Sequence, residues 1–381
     1  MSGSPPLASG LMGFVSVHYA SSAGNDAELP EFESISEIPR RTAEPSAPSP
    51  KLLGTRTASA AQWDALADAS PHATFFHTRE WAELWQGYSG GTLSPVARLA
   101  KFDDGVVALL PAVEKTLLDL PHVGRLSASL RTVISASTGT YGGWLSAATL
   151  TPAHHRVLWE HTRTLNVDLT QNPYDPAQAE ALPWTREEFT QVVDLAPGYE
   201  QVRRTWSRGH VSAVNKGARA GLAVTRATTA GQWQDYIRIY GLSVRRWGEA
   251  AAFVYRDDLF EQLSRSTSGK VRLWVVEYEG AVIAGAICLY QGDKVMYWHG
   301  AFDADLQHLR AAPLLHAEIM RQAVEDGYRW YDFNPSGGNE GVLTFKDRFG
   351  TQRLPANSLV SDAAVKRALA RARAAVAARR A

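Results

Sequence analysis

Cysteine is almost missing from this chain. Its one residue, Cys288, excludes an intrachain disulfide and fits a reducing compartment. It sits within the apolar run AVIAGAICLY (281–290), which predicts burial and argues against use as a nucleophile. Long hydrophobic runs are missing as well: none approaches the roughly 18 residues of a membrane span, so an integral membrane protein is not expected. A short apolar patch, Leu11 to Val17, has no basic segment before it, which argues against a secretory signal. Net charge is also lacking. Lys plus Arg and Asp plus Glu each total 39, so overall charge singles out no class of partner. His154, His155 and His161 share a predicted helix without a metal-ligand spacing, and no metal site is expected. These absences together predict a cytoplasmic protein.

What is present suits a folded protein of two units. The 381 residues are 45% hydrophobic and 20% charged, enough apolar material for real cores and enough length for two domains. Residues 1–50 form an acidic tail rich in Pro and Ser, with six acidic and two basic side chains and no periodicity, which reads as disorder. The stretch 361–381 is Ala-rich and basic and reads as a helical tail. Between them we place an N-terminal unit at 51–195 and a C-terminal unit at 196–360. Arg203, Arg204, Arg208, Lys216, Arg219 and Arg226 form a run without acidic residues. Such a run is either a solvated helix face or a surface for phosphates.

Periodicity orders the C-terminal unit. Val271 to Tyr278, Ala281 to Tyr290 and Val295 to Ala301 read as strands joined by the turns Glu279-Gly280 and QGDK (291–294). Gly285 inside the middle strand marks a bulge or a close approach. Pro313 opens a helix that Gly327 closes, with Leu315, Ile319 and Ala323 on one face. A strand from Tyr328 to Phe333 follows. Upstream, 198–220 reads as a basic helix, Thr229 caps a helix running to Trp247, and 257–264 forms a shorter one. The N-terminal unit repeats this order in outline. Val96 to Phe102 and Val106 to Val113 flank Asp103-Asp104-Gly105, a helix from about Thr151 to Leu165 follows, and Asn172-Pro173 closes a strand as Asn334-Pro335 closes the later one. The repetition predicts a duplication. The expected class is α/β (α+β), with tandem domains that each carry a mixed, mostly antiparallel sheet flanked by helices.

The most informative stretch is Tyr328 to Gly350, YRWYDFNPSGGNEGVLTFKDRFG. A strand ends on Asp332; a loop follows with Asn334, Pro335, Ser336, Gly337, Gly338 and Gly341; a second short element carries Phe345 and Lys346. Glycines let backbone amides approach a ligand, and a lysine after such a loop brings charge to a reacting centre. These residues resemble the signature of the FemAB-like branch of the GNAT superfamily. The segment Phe75-Phe76-His77-Thr78-Arg79-Glu80-Trp81 resembles the entry motif of that family. The resemblance covers about Phe75 to Leu359.

The resemblance implies tandem GNAT-like domains, with chemistry in the second, and transfer of an acyl or aminoacyl group to an amine. It implies Lys346 beside the donor, with Gly337, Gly338, Asn334, Ser336, Phe345 and Arg310 as donor-binding candidates. Asp332 would orient Lys346 or a backbone group, or simply end its strand. Arg79 and Trp81 are acceptor candidates, Trp81 with core packing as its alternative and Trp85 assigned to the core. Tyr297 and Trp298 end a strand where an acceptor cleft would open, and His299 beside them is either a general base or a structural histidine. Acyl-CoA enzymes of the superfamily carry glycine where Gln307 to Ala312 has Arg310, whose side chain is expected to obstruct backbone wrapping of pyrophosphate. No tightly bound cofactor is expected; the donor is aminoacyl-tRNA or acyl-CoA. The expected acceptor is a small molecule or glycopeptide amine of the cell envelope (cell wall, peptidoglycan), with tRNA a candidate partner, DNA excluded and membrane-surface association left open. Two alternatives stand beside this aminoacyltransferase reading: a CoA-dependent N-acyltransferase, and a silent module binding a sugar nucleotide or tRNA.

Overall fold

The computed structural model describes residues 49–116, 131–135, 140–163, 167–247 and 254–359. The expected basic tail at 361–381 and nearly all of the expected acidic tail at 1–50 lie outside the described residues. Strands β1 (Leu52–Thr57), β2 (Leu93–Phe102), β3 (Val107–Thr116), β4 (Arg131–Ile134) and β5 (Val167–Thr170) belong to one sheet. Strands β6 (Phe189–Asp194), β7 (Ala223–Arg226), β8 (Val271–Tyr278), β9 (Ala281–Gln291), β10 (Lys294–Phe302), β11 (Trp330–Asp332) and β12 (Gln352–Pro355) belong to a second. The last strand, β13 (Ser358–Leu359), returns to the first. Both sheets are mixed and mostly antiparallel, as expected.

The helices are α1 (Ala60–Ala69), α2 (Arg79–Tyr88), α3 (Pro152–Thr162), α4 (Pro176–Ala181), α5 (Tyr199–Arg204), α6 (Arg208–Arg219), α7 (Ala230–Trp247), α8 (Asp257–Ser264), α9 (Ala311–Glu325) and α10 (Glu340–Asp347). Their ends follow side-chain chemistry. Ser59 and Thr151 cap α1 and α3, and Thr229 Oγ1 accepts from Gln232 N at the start of α7. The single basic helix expected over 198–220 is two: the chain breaks after Arg204, and Ser207 caps a new start by accepting from His210 N. Pro313 lies in the first turn of α9, where its missing N–H costs nothing, rather than at its first residue. No described helix is long and apolar enough to cross a membrane.

The duplication is written in the topology. The first unit runs β1-α1-α2-β2-β3-β4-α3-β5-α4, and the second β7-α7-α8-β8-β9-β10-α9-β11-α10. Pairing matches step for step: β3–β4 and β9–β10 are antiparallel, and β4–β5 and β10–β11 are the parallel pairs. The boundary expected at 195/196 needs correction. Strand β6 follows the first unit's α4 yet pairs with β11 of the second, Val192 opposite Asp332 and Val193 opposite Tyr331. In return, β13 leaves the second unit to pair with β5, Leu359 opposite Leu169. Each unit completes its sheet with the other's last strand. A parallel pair buries both strands and leaves a sheet edge wanting a partner; here the partner crosses over.

One hydrophobic cluster spans both units, joining Trp63, Phe76, Trp81 and Trp85 to Tyr255, Phe260 and Leu289. A second cluster lies on the opposite face of the second sheet beneath α6 and α9. Polar contacts reinforce the junction: Lys294 Nζ donates to Pro71 O at 2.8 Å, and Arg256 donates to Tyr88 O at 2.7 Å. Cys288 is fully buried in β9, as expected, and burial raises its thiol pKa. Gly285 is not at the β8–β9 irregularity, which falls between Val276 and Glu277. It admits the ring of Tyr236, which would stand 2.7 Å from an added Cβ.

The strand exchange generates a prediction. Fragments 49–195 and 196–359 made separately should each fail to fold, because each lacks a strand that only the other supplies. Circular dichroism and proton NMR of the fragments, alone and coexpressed, check this. A cooperative thermal transition in either isolated fragment would contradict it.

Candidate functional site

The site begins where β10 and β11 stop pairing. Their parallel ladder holds only Lys294–Trp330, Val295–Tyr331 and Met296–Asp332. An extra residue, Trp298, then shifts the register of β10 against β9. Beyond this point the strands diverge and a cavity of about 50 Å³ fills the gap. Ala284, Gly285, Gly300 and Ala301 make its walls thin, while Tyr297, Trp298, Phe345 and Lys346 give it chemistry.

Lys346 is the principal group. It sits in the last turn of α10, the second short element expected after the loop, and is only 4% exposed. Its Nζ donates to Asn334 O at 2.6 Å and to Ser336 Oγ at 2.8 Å. An ammonium has three donors, so one remains for the cavity the residue lines. Burial drives its pKa down from 10.5 to about 7, against the pull of Asp332 and Glu188. Near neutrality the side chain is therefore divided between its charged and neutral forms. His316 on α9 lines the same cavity; burial holds it near 3, so it is neutral there, with Nδ1 facing Tyr331 OH at 2.7 Å.

Asp332 does not touch Lys346. It is fully buried and accepts four hydrogen bonds: from Tyr141 OH (3.1 Å), Tyr174 OH (2.9 Å), Thr190 Oγ1 (2.6 Å) and Asn334 N (2.8 Å). Desolvation still raises its pKa. Of the roles expected, it takes that of orienting a backbone group. Asn334 stands at φ 58°, a left-handed conformation that Asn tolerates better than most residues. Its Nδ2 donates to Tyr297 O at 2.9 Å, across the gap between the strands.

The glycines serve the loop, not the cavity. Gly337 and Gly338, expected to approach the donor, are exposed and both have positive φ, 57° and 77°. Asn339 N closes on Ser336 O at 3.1 Å, so the pair forms a tight turn of the kind that demands glycine at both central positions. The turn sets Asn339 to cap α10 by accepting from Val342 N. Ser336 is buried beneath Lys346 and bonds Gln191 Oε1 at 3.3 Å, while Gln191 Nε2 donates to Leu343 O. Strand β6, exchanged from the first unit, thus braces the helix that bears the lysine.

Phe302, Ala312 and Phe345 line both this cavity and a neighbouring cleft of about 790 Å³. Lys216 from α6, Arg310 and Arg348 border it, with Asp303 and Glu340 as acidic counterparts. The side chain of Arg310 was expected to obstruct backbone wrapping of pyrophosphate. Its backbone adopts φ 63°, ψ 36°, the conformation glycine would supply, and it leads directly into the N-terminus of α9. The obstruction expected of its side chain is therefore not built into the backbone.

Three other expected residues lie elsewhere. His299 faces away from the cavity, bonded through Nδ1 to Tyr236 OH and packed by Tyr240, Tyr255 and Phe260. Burial holds it near 3, so it is neutral near pH 7. Trp81 is 2% exposed and packs on Phe76, Trp85 and Trp298; core packing is its role. Arg79 is held by Asp64 at 2.9 Å and by Glu83, which also raises its pKa. Tyr297 and Trp298 do line the cavity. Sequence reasoning missed Tyr141, Tyr174, Thr190 and Gln191, which lie more than 140 positions from the groups they hold. No local signal marks them.

Residues 184–347 match the acetyltransferase (GNAT) domain family. The structure is similar to the crystal structure of FemX, with a TM-score of 0.61 at 13% identity, over 80% of this chain and 97% of that one. Lower similarity extends to the C-terminal domain of a putative lysylphosphatidylglycerol synthetase from Agrobacterium fabrum (TM-score 0.47, 13% identity, 70% and 85% covered). It extends also to a tandem GNAT protein from the clavulanic acid biosynthesis pathway (0.43, 13%, 82% and 99%). No curated protein matches the sequence. The match begins five residues before β6 and so includes the exchanged strand.

The buried lysine has a measurable thermodynamic signature. Below about pH 7 it is protonated in the folded and unfolded states alike, and folding bears the full cost of burying the charge. Between about 7 and 10.5 the unfolded chain holds more protons than the folded one, so stability rises with pH. The stability of the wild type relative to Lys346→Met should therefore increase by on the order of 2 kcal/mol from about pH 6 to about pH 9. Urea denaturation of both proteins at both pH values tests this; an unchanged difference would contradict it.

Proposed function

We propose that this chain, whose residues 184–347 match the acetyltransferase (GNAT) domain family, transfers an acyl or aminoacyl group to an amine of a cell-envelope precursor or amine-bearing glycan. One observation carries the reading: a buried lysine with a pKa near 7 lines a small, mostly apolar cavity that shares Phe302, Ala312 and Phe345 with a larger cleft bordered by Lys216, Arg310 and Arg348. A surface that only recognises a ligand has no need to bury a lysine at a cost to folding. A reacting centre does, because fixed donors act most strongly where water is excluded.

In the reaction, the amine lone pair forms the new C–N bond at the donor carbonyl, and the carbonyl π pair moves onto oxygen. Its return expels the donor's oxygen or sulfur with the bonding pair, and that leaving group takes up the proton the amine gives up. Lys346 in its charged form donates to the developing oxyanion or to a donor phosphate. Asn334 O and Ser336 Oγ hold its Nζ in place. Asp332 holds Asn334, and the apolar walls exclude water that would hydrolyse the donor. Lys216, Arg310 and Arg348 face the phosphates of the donor's carrier.

The resemblance of Tyr328 to Gly350 to the FemAB-like signature favours aminoacyl-tRNA as donor, with the basic run from Arg203 to Arg219 on α5 and α6 beside the cleft to meet its backbone. Two observations favour acyl-CoA as a second reading. Arg310 reproduces the backbone turn expected of glycine, and a 50 Å³ channel suits a slender chain better than a nucleoside.

Turnover should be measured with alanyl-tRNA and with acetyl-CoA as donors and a lysine-bearing sugar-nucleotide peptide as acceptor. Lys346→Met should lower it by about two orders of magnitude, the scale of losing one transition-state donor, with an unchanged circular dichroism spectrum. Turnover near wild type would remove Lys346 from the chemistry. Calorimetry separates the donors: salt-sensitive binding of alanyl-tRNA, flattened when Arg203, Arg204 and Arg208 are neutralised together, is expected. Tight acetyl-CoA binding without affinity for tRNA would instead establish the second reading.

A further inference from the structure

Every polar group of Asn334 except one is committed. Its N–H goes to Asp332 Oδ1, its carbonyl receives Lys346 Nζ, and its Nδ2 donates to Tyr297 O. Its Oδ1 is buried and has no partner. A flip of the amide cannot relieve this, because it would set an oxygen against the Tyr297 carbonyl. Several buried polar atoms lack partners, but among the described residues Asn334 Oδ1 is the one whose residue lines the cavity with Lys346. A buried unpaired acceptor costs about 1–3 kcal/mol. Here it stands on a residue held at positive φ by three separate bonds, a degree of constraint that a mere connector does not require.

We propose that Asn334 Oδ1 receives an N–H of the attacking amine and holds that amine, uncharged, beside the donor carbonyl. The proposal rests on the acyl-transfer reading and names the acceptor's reactive form at that site: a neutral amine bearing at least one N–H. An amide oxygen suits this task better than a carboxylate. It accepts the hydrogen bond but offers no negative charge to stabilise an ammonium, whose nitrogen has no lone pair to give. The surroundings work in the same direction. Lys346, when charged, repels an ammonium, and the neighbouring walls are apolar, with neutral His316 among them. Asp332, two residues before Asn334, has its oxygens engaged by four donors. Because Asn334 bridges Tyr297 on β10 to Lys346 on α10, its side chain places the amine at the mouth of the strand gap.

The test needs no acyl donor, so it stands or falls apart from the turnover experiments. The probe is 2,2,2-trifluoroethylamine, whose fluorines keep the amine largely neutral near pH 7.5 and report by ¹⁹F NMR. Its N,N-dimethyl derivative, which has no N–H, is the control. In the wild-type protein the primary amine should bind roughly fivefold more tightly than the dimethyl compound, the scale of one hydrogen bond. The Asn334 side-chain amide resonances should move with the first probe and not with the second. In Asn334→Leu the preference should vanish. Should that variant not fold, the wild-type comparison and the Asn334 resonances still decide. Equal affinity of the two probes in the wild type overturns the proposal, as does an unchanged preference in a folded Asn334→Leu. Absence of turnover with every donor, alongside the expected probe preference, would count against the acyl-transfer reading and leave an N–H-binding site at Asn334.

Discussion

Two charged groups, Lys346 and Asp332, are withdrawn from water within one loop of each other, and much of the structure exists to make that tolerable. An isolated buried charge is costly enough that a group normally neutralises instead. Lys346 moves part of the way, to a pKa near 7, and Asp332 keeps four donors around it while its own pKa rises. Neither is paired directly with the other. Their link is Asn334, whose N–H serves one and whose carbonyl serves the other. The lysine is thereby fixed in position without being locked into an ion pair, which leaves its proton and its remaining donor available.

The exchange of strands between the units follows from the same demand. Asp332 lies on β11, the fifth strand of the second unit, and its hydroxyl donors come from Tyr141, Tyr174 and Thr190 of the first. Thr190 and Gln191 arrive on β6, the strand contributed across the boundary. The first unit repeats the fold but not the buried lysine: its α4 reads PAQAEA and packs against α3. Its contribution is to supply donors and rigidity. A site built on crossed strands is harder to shift than one on a free loop, which matters when about 1 Å of displacement can cost catalysis dearly.

Much of this was legible in the residues. The turns Asp103-Asp104-Gly105 and Glu279-Gly280, the caps Thr151 and Thr229, and the uninterrupted apolar run of β9 each announce their element through local chemistry. The stretch Tyr328 to Gly350 pointed to the loop and the lysine of the cavity. Other expectations fell where the deciding fact was which way a side chain faces. His299 and Tyr297 are two positions apart, and a single extra residue between them sends one to the cavity and the other into an aromatic core. Gly337 and Gly338 were needed for backbone freedom, as glycines often are, but for a turn and not for a ligand. Arg310 lacks the glycine's freedom and takes its conformation regardless, because a helix start and a neighbouring short helix over-determine the backbone there.

The amino-acid sequence by itself determined the local elements and the duplication, because turn, cap and periodicity rules act over a few residues and need no knowledge of what lies across the molecule. Only the tertiary structure decided which last strand completes which sheet, which hydroxyls hold Asp332, and that Asn334 keeps one unpaired oxygen. Those facts depend on contacts between segments 140 to 190 residues apart. Hydrogen-bond satisfaction there belongs to the packed whole and cannot be read from any one segment of the chain.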